Sequence, residues 1–82
     1  MRRARGKTPR ITLYGTRGCA HCRRLREWLQ ARDLAFRELD VERDRRAARE
    51  FQRLGARGVP VLLVGDRRID GFDPRRLKQL LG

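Results

Sequence analysis

Long hydrophobic runs are missing from this sequence. The longest, Val59 to Val64, is six residues and contains Pro60, whereas a membrane-spanning helix needs about 20. The basic start, Met1-Arg2-Arg3-Ala4-Arg5-Gly6-Lys7, has the charge of an export signal but no apolar stretch behind it. The expectation is therefore a cytoplasmic, monomeric protein without membrane contact, in which residues 1–10 form a flexible basic tail and residues 11–82 the folded domain. Internal repeats, low-complexity tracts and interdomain linkers are also lacking. With 82 residues, one modest core can bury roughly 60–65% of the unfolded surface, which leaves room for a single domain.

Acidic residues are few, 10 against 22 basic, and the net charge is +12. Lysine is scarcer still, with only Lys7 and Lys78. Such an imbalance is one mark of a nucleic-acid-binding module, because neutralising phosphates releases counterions. Here residues 1–10 hold five basic groups and no acid, so the remainder carries 17 basic and 10 acidic residues, a net +7. Elsewhere arginines alternate with acids, as in Asp40-Val41-Glu42-Arg43-Asp44-Arg45, the pattern of a solvated face. Specific nucleic-acid binding is not expected; binding that vanishes by about 0.2 M salt marks the charge as nonspecific.

Cysteine is limited to Cys19 and Cys22. A disulfide between residues three apart closes too short a loop to staple a fold, so the pair points to chemistry or metal. Zinc needs four ligands, and the only other strong candidate, His21, lies between the cysteines and projects elsewhere on the turn. Covalent haem attachment needs histidine directly after the second cysteine, where Arg23 stands. No metal is assigned.

What is present reads as alternating strands and helices. Ile11-Thr12-Leu13-Tyr14 is a strand, followed by a loop from Gly15 to Gly18. From Ala20 to about Arg32 the period becomes helical, with Cys22, Leu25, Trp28 and Leu29 on one stripe. Leu34 to Leu39 reads as a second strand. Asp44 caps a helix that places Ala47, Ala48, Phe51 and Leu54 on one face before Gly55 ends it. Val59 to Val64 is apolar on both faces, as in a central covered strand. Gly65-Asp66 turns the chain into Arg67 to Asp70. Asp73 caps a last helix with Pro74 at its first position and Leu77, Leu80 and Leu81 inward. The order β-α-β-α-β-β-α predicts an α/β fold, a four-stranded mixed sheet with helices on both faces.

Cys19-Ala20-His21-Cys22 follows the first strand and opens the first helix. Side chains three apart on a helix stand about 5–6 Å from each other, within reach of a disulfide after small adjustment. Cys19 at the helix start meets unpaired backbone N–H groups and the positive end of the dipole, with Arg17, Arg23 and Arg24 nearby. Such settings favour thiolate over thiol, which makes Cys19 the expected nucleophile and Cys22 the buried partner that resolves a mixed disulfide. His21 is expected to be exposed and to tune the thiols by its charge. Trp28 is expected in the core. Tyr14, beside the reactive loop, is open to two readings, groove edge or packing.

Taken together, Ile11-Thr12-Leu13-Tyr14, Cys19-Ala20-His21-Cys22, Gly58-Val59-Pro60 and Gly71-Phe72-Asp73-Pro74 resemble a glutaredoxin over residues 10–82. The resemblance implies the thioredoxin-like fold and thiol–disulfide exchange, with no tightly bound cofactor and glutathione as co-substrate and reductant. It also implies a cis peptide at Val59-Pro60 that faces the cysteines and offers the Val59 backbone to substrate. The Gly71-Phe72-Asp73 bend would take the γ-glutamyl end of glutathione, with Arg17 or Arg23 on its other carboxylate. Partners so implied are glutathione and disulfide-bonded or glutathionylated proteins. Ala20-His21 replaces the usual Pro-Tyr, and Gly58 stands where threonine is common. The bend also resembles the small redoxins that serve ribonucleotide reductase and take electrons from thioredoxin reductase, although those carry a basic residue at the place of Asp73. An iron–sulfur carrier, with a cluster shared between two chains, is a further alternative that a colourless anaerobic preparation removes.

Overall fold

Alternation along the first strand decides the layers. Ile11 and Leu13 face one side and Thr12 and Tyr14 the other, because successive strand residues point to opposite faces. The computed structural model describes residues 9–82; of the basic tail expected over residues 1–10, only Pro9 and Arg10 fall within the described residues. The elements are β1 (Ile11–Gly15), α1 (Ala20–Ala31), β2 (Arg37–Asp40), α2 (Arg45–Arg53), β3 (Val61–Val64), β4 (Arg67–Asp70) and α3 (Pro74–Leu81). They form one sheet in the order β2-β1-β3-β4. β2 runs parallel to β1, whereas β3 pairs antiparallel with both β1 and β4. The expected mixed sheet with three helices is what the chain forms.

Two apolar clusters flank the sheet. Leu25 and Leu29 of α1 and Leu77 of α3 pack on Ile11, Leu13, Leu62, Val64 and Ile69. On the opposite face Ala47, with Phe51 and Leu54, packs on Tyr14 and Val61. β3 is thus central and covered on both sides, which is why it lacks polar alternation. It begins at Val61 rather than Val59, and Val59-Pro60 ahead of it is a cis peptide. Trp28 is half-buried against the first cluster, with the Arg32 guanidinium 3.7 Å from its ring centre.

The helix ends follow local chemistry. Asp44 caps α2, its Oδ1 accepting from Arg46 N at 3.0 Å and Ala47 N at 3.1 Å, a contribution of about 1 kcal/mol. At the far end of α1, Asp33 adopts a left-handed φ of 55°. Its N–H donates to Gln30 C=O at 3.0 Å, and Leu34 N–H donates to Leu29 C=O at 3.1 Å. This is a Schellman end with aspartate in the place where glycine is common. It also corrects the expected second strand. Leu34 serves the helix end and packs with Phe36 on the first cluster, so pairing to β1 starts only at Arg37.

Candidate active site

The loop after β1 delivers Cys19 to the first position ahead of α1. Its backbone is extended, with φ −92° and ψ 115°, and its Sγ accepts from Cys22 N at 3.2 Å. Cys19 is therefore the N-cap of α1, a role usually filled by an oxygen side chain. The sulfur meets the helix N–H groups directly, as its sequence position led us to expect. It is half-buried. Across from it, Val59 C=O lies 3.9 Å from Cys19 Sγ, so the residue ahead of the cis-proline does face the cysteine pair.

Cys22 sits one turn further in and is fully buried. Burial, and then the hydrogen bond with Cys19, pushes its thiol from an ordinary value near 9.0 up to about 12; a Thr16 backbone bond and the charge of Arg26 act in the opposite direction. Cys22 thus stays a thiol at neutral pH. A group that holds its proton more tightly when folded stabilises the fold fully below its unfolded pKa and loses that contribution as pH rises toward its folded value. Stability should therefore fall above about pH 9, by up to about 1.4 kcal/mol per pH unit from this group. Urea midpoints at pH 8 and 10 measure it, and Cys22→Ser should flatten the slope; an equal slope in the variant refutes the assignment.

Gly15, at the end of β1, explains how Cys22 fits. A Cβ there would lie 2.8 Å from Cys22 Sγ, 3.1 Å from Leu13 Cδ2 and 3.3 Å from Cys22 Cβ. The thiol occupies the space a side chain at residue 15 would need, and a short helical cysteine cannot swing away. Gly15→Ala should slow disulfide turnover by about tenfold while costing roughly 1–3 kcal/mol of stability. Turnover at the wild-type rate in a folded variant, checked by near-ultraviolet circular dichroism, would remove Gly15 from this role.

Arg17, Gly18, Ala20, Arg23 and Arg26 surround Cys19 in a cleft of about 240 Å³. Arg17 and Arg23 are exposed. Arg26, which the sequence reading passed over, is fixed by Glu38 of β2 through contacts of 2.8, 3.0 and 2.6 Å. Its signal was its place four residues after Cys22, on the same helical face. The larger depression, about 1180 Å³ between Pro9–Ile11 and Asp33–Arg37, opens at the other end of β1 and contains no thiol. His21 is exposed on α1.

The remaining expected site residues lie outside the lining of the cleft around Cys19. Gly71 takes φ +80° and its N–H donates to Pro60 C=O at 2.8 Å, which ties the bend to the cis-proline. Phe72 is half-buried against the first cluster. Asp73 caps α3, its Oδ1 accepting from Arg76 N at 3.2 Å. Of the two readings of Tyr14, groove edge or packing, the structure supports packing. Only 5% exposed, this side chain lies in the second cluster, on the α2 face, and its hydroxyl donates to Glu50 at 3.0 Å. Strand alternation sends its ring away from the face where Gly15 meets Cys22, so its role is packing. Among the described residues no group of three or more His, Cys, Asp or Glu is placed to hold a metal, and no helix is long and apolar enough to cross a membrane.

The chain is similar to known proteins. The glutaredoxin family matches residues 11–69. The glutaredoxin-like protein NrdH of Escherichia coli strain K12 is 31% identical over 71 residues, 87% of this chain and 88% of that protein. NrdH of Lactococcus lactis subsp. cremoris is 27% identical over 70 residues, 85% and 97% respectively. The solved structure of the E. coli glutaredoxin-like protein NrdH-redoxin, described as having a thioredoxin-like activity profile, superimposes with a TM-score of 0.80 at 30% identity, over 89% of this chain and 96% of that one. The family match spans the dithiol turn and the cis-proline on which the geometry converges, and the chain belongs to the glutaredoxin family of thiol–disulfide oxidoreductases.

Proposed function

We propose that this protein is a dithiol redoxin of the kind that serves ribonucleotide reductase or similar targets, re-reduced by thioredoxin reductase rather than by glutathione. The observation that carries the dithiol reading is the pairing of a half-exposed Cys19 sulfur with a fully buried Cys22 one turn behind it. The choice of reductant rests on likeness to NrdH proteins and on the thioredoxin-like activity profile described for the E. coli protein. This reverses the order of preference drawn from the sequence, where glutathione stood first.

The chemistry is a pair of displacements. Cys19 thiolate attacks one sulfur of the target disulfide; a Cys19–target disulfide forms, the target S–S bond breaks, and the second target sulfur leaves as thiolate. Cys22 then gives up its proton, which passes to a departing thiolate, and attacks Cys19 Sγ. The Cys19–Cys22 disulfide forms and the target leaves fully reduced. Capture of Cys19 in the mixed disulfide removes its charge and its bond to Cys22, two of the influences that hold Cys22 protonated. Resolution is thereby eased after capture, although burial still holds the proton. Two electrons from the reductase restore the dithiol. A readily exchanged pair suits a reducing, cytoplasmic compartment, and the basic cleft attracts acidic partners through a field that salt weakens.

Glutathione remains a second reading because of Asp73. One of its oxygens caps α3, and a carboxylate at this bend can also pair with an ammonium group. Side-by-side turnover of a protein disulfide decides between them, with NADPH and thioredoxin reductase in one arm and glutathione with glutathione reductase in the other. Reductase-driven turnover at least about tenfold faster is expected; faster turnover with glutathione overturns the assignment.

A further inference from the structure

The loop that brings Val59 to Cys19 is held at both ends by one strand. Between the end of α2 and the start of β3, Ala56 to Val59 make no backbone–backbone hydrogen bond among the described residues. At the far end of the loop, Pro60 C=O accepts from Gly71 N, directly after β4. At its near end, the Arg68 side chain of β4 donates through Nη1 to Leu54 C=O, the C-cap carbonyl of α2. That carbonyl belongs to the negative end of the helix dipole and has no helical partner, so a cation there is doubly matched.

Arg68 is itself held in place. Its Nε and Nη2 donate to the two oxygens of Asp70 at 2.7 and 3.0 Å. Two residues apart on β4, both side chains point to the α2 face, as does Leu63, the cross-strand partner of Arg68. Arg68 in turn holds the Asp70 carboxyl below its ordinary value. The guanidinium fork therefore uses one side on Asp70 and the remaining nitrogen on the helix end, a geometry that lysine's single ammonium cannot copy.

We infer that Arg68, oriented by Asp70, is a positioning residue for substrate: it anchors the 55–60 loop and so holds the Val59 backbone at the distance from Cys19 at which a target disulfide is received. The inference rests on the thiol–disulfide reading of the site. Arg68 does not touch substrate, and its effect should fall on binding rather than on the intrinsic reactivity of Cys19.

Single-turnover reduction tests this without any choice of reductant. Pre-reduced protein is mixed with excess insulin as the disulfide probe, and the rate is followed against insulin concentration. Arg68→Ala should raise the half-saturating concentration about tenfold, the loss expected if about one backbone residue must be re-ordered on binding. The saturating rate and the rate of Cys19 alkylation by iodoacetamide at pH 7 should stay within about twofold of wild type, a split that general loss of packing does not produce. Arg68→Lys should fall between the two. Asp70→Asn supplies a milder variant should Arg68→Ala not fold, and should shift saturation in the same direction by about threefold, or roughly 0.6–0.7 kcal/mol. Arg67→Ala, on the opposite and exposed side of β4, should match wild type. Unchanged saturation in Arg68→Ala and Asp70→Asn, or equal decline of saturation, saturating rate and alkylation, overturns the inference. Absence of any reaction in the wild type would instead overturn the functional reading.

Discussion

Cys19→Ser should abolish protein-disulfide reduction, by roughly three orders of magnitude or more, with the fold intact. Serine preserves the cap of α1, since its hydroxyl accepts from Cys22 N as the sulfur does now. What it removes is the only group at the helix mouth able to attack sulfur: a hydroxyl is not ionised near neutral pH, and loss of a nucleophile generally costs several powers of ten. Insulin reduction followed by turbidity gives the rate, and far-ultraviolet circular dichroism checks the helices. Retention of more than about a tenth of the activity would mean that the attacking sulfur lies elsewhere, and Cys22 is the only other cysteine in the chain.

The second large effect belongs to Cys22→Ser. The first displacement needs only Cys19, so the variant should still capture a target disulfide. It should then stall, because serine cannot displace the target from Cys19. A covalent one-to-one adduct, cleaved by dithiothreitol, should accumulate within one reaction time and be visible by intact mass, while steady-state turnover of protein disulfides drops at least about a hundredfold. Glutathionylated targets offer a contrast: free glutathione can release the adduct, so any residual turnover with them reports the monothiol route. Equal and complete loss of capture in both cysteine variants would contradict the division of roles. In the wild-type protein, iodoacetamide at pH 7 should label Cys19 and leave Cys22 untouched, as burial and a thiol pushed up to about 12 require.

Much of this was legible along the chain because it depends on neighbours in sequence. The stripe of Leu25 and Leu29, the Asp44 and Asp73 caps and the two-residue turn at Gly65 all follow from periods and capping rules that span four residues or fewer. The CxxC pair is local too, and its place at a strand-to-helix junction gave the expectation that Cys19 attacks and Cys22 resolves. The bounds of β2 were misjudged where local and distant demands compete. Leu34 and Phe36 alternate like strand residues, yet closing α1 and filling the core take precedence over pairing. The order of the two reductants was not legible for a different reason. Asp73 is compatible with both a helix cap and an ammonium partner, and sequence offers no means of ranking the two.

Sequence alone determined the element order and singled out the CxxC pair, since hydrophobic period and capping act over one or two turns. Only the tertiary structure decided which glycine makes room for Cys22, that Tyr14 turns to the α2 face, that Arg26 is held by Glu38, and that Arg68 reaches the end of α2. Each of these joins residues between 7 and 36 positions apart. Such contacts depend on how strands register and which sheet face a helix covers, and no local preference along the chain encodes them.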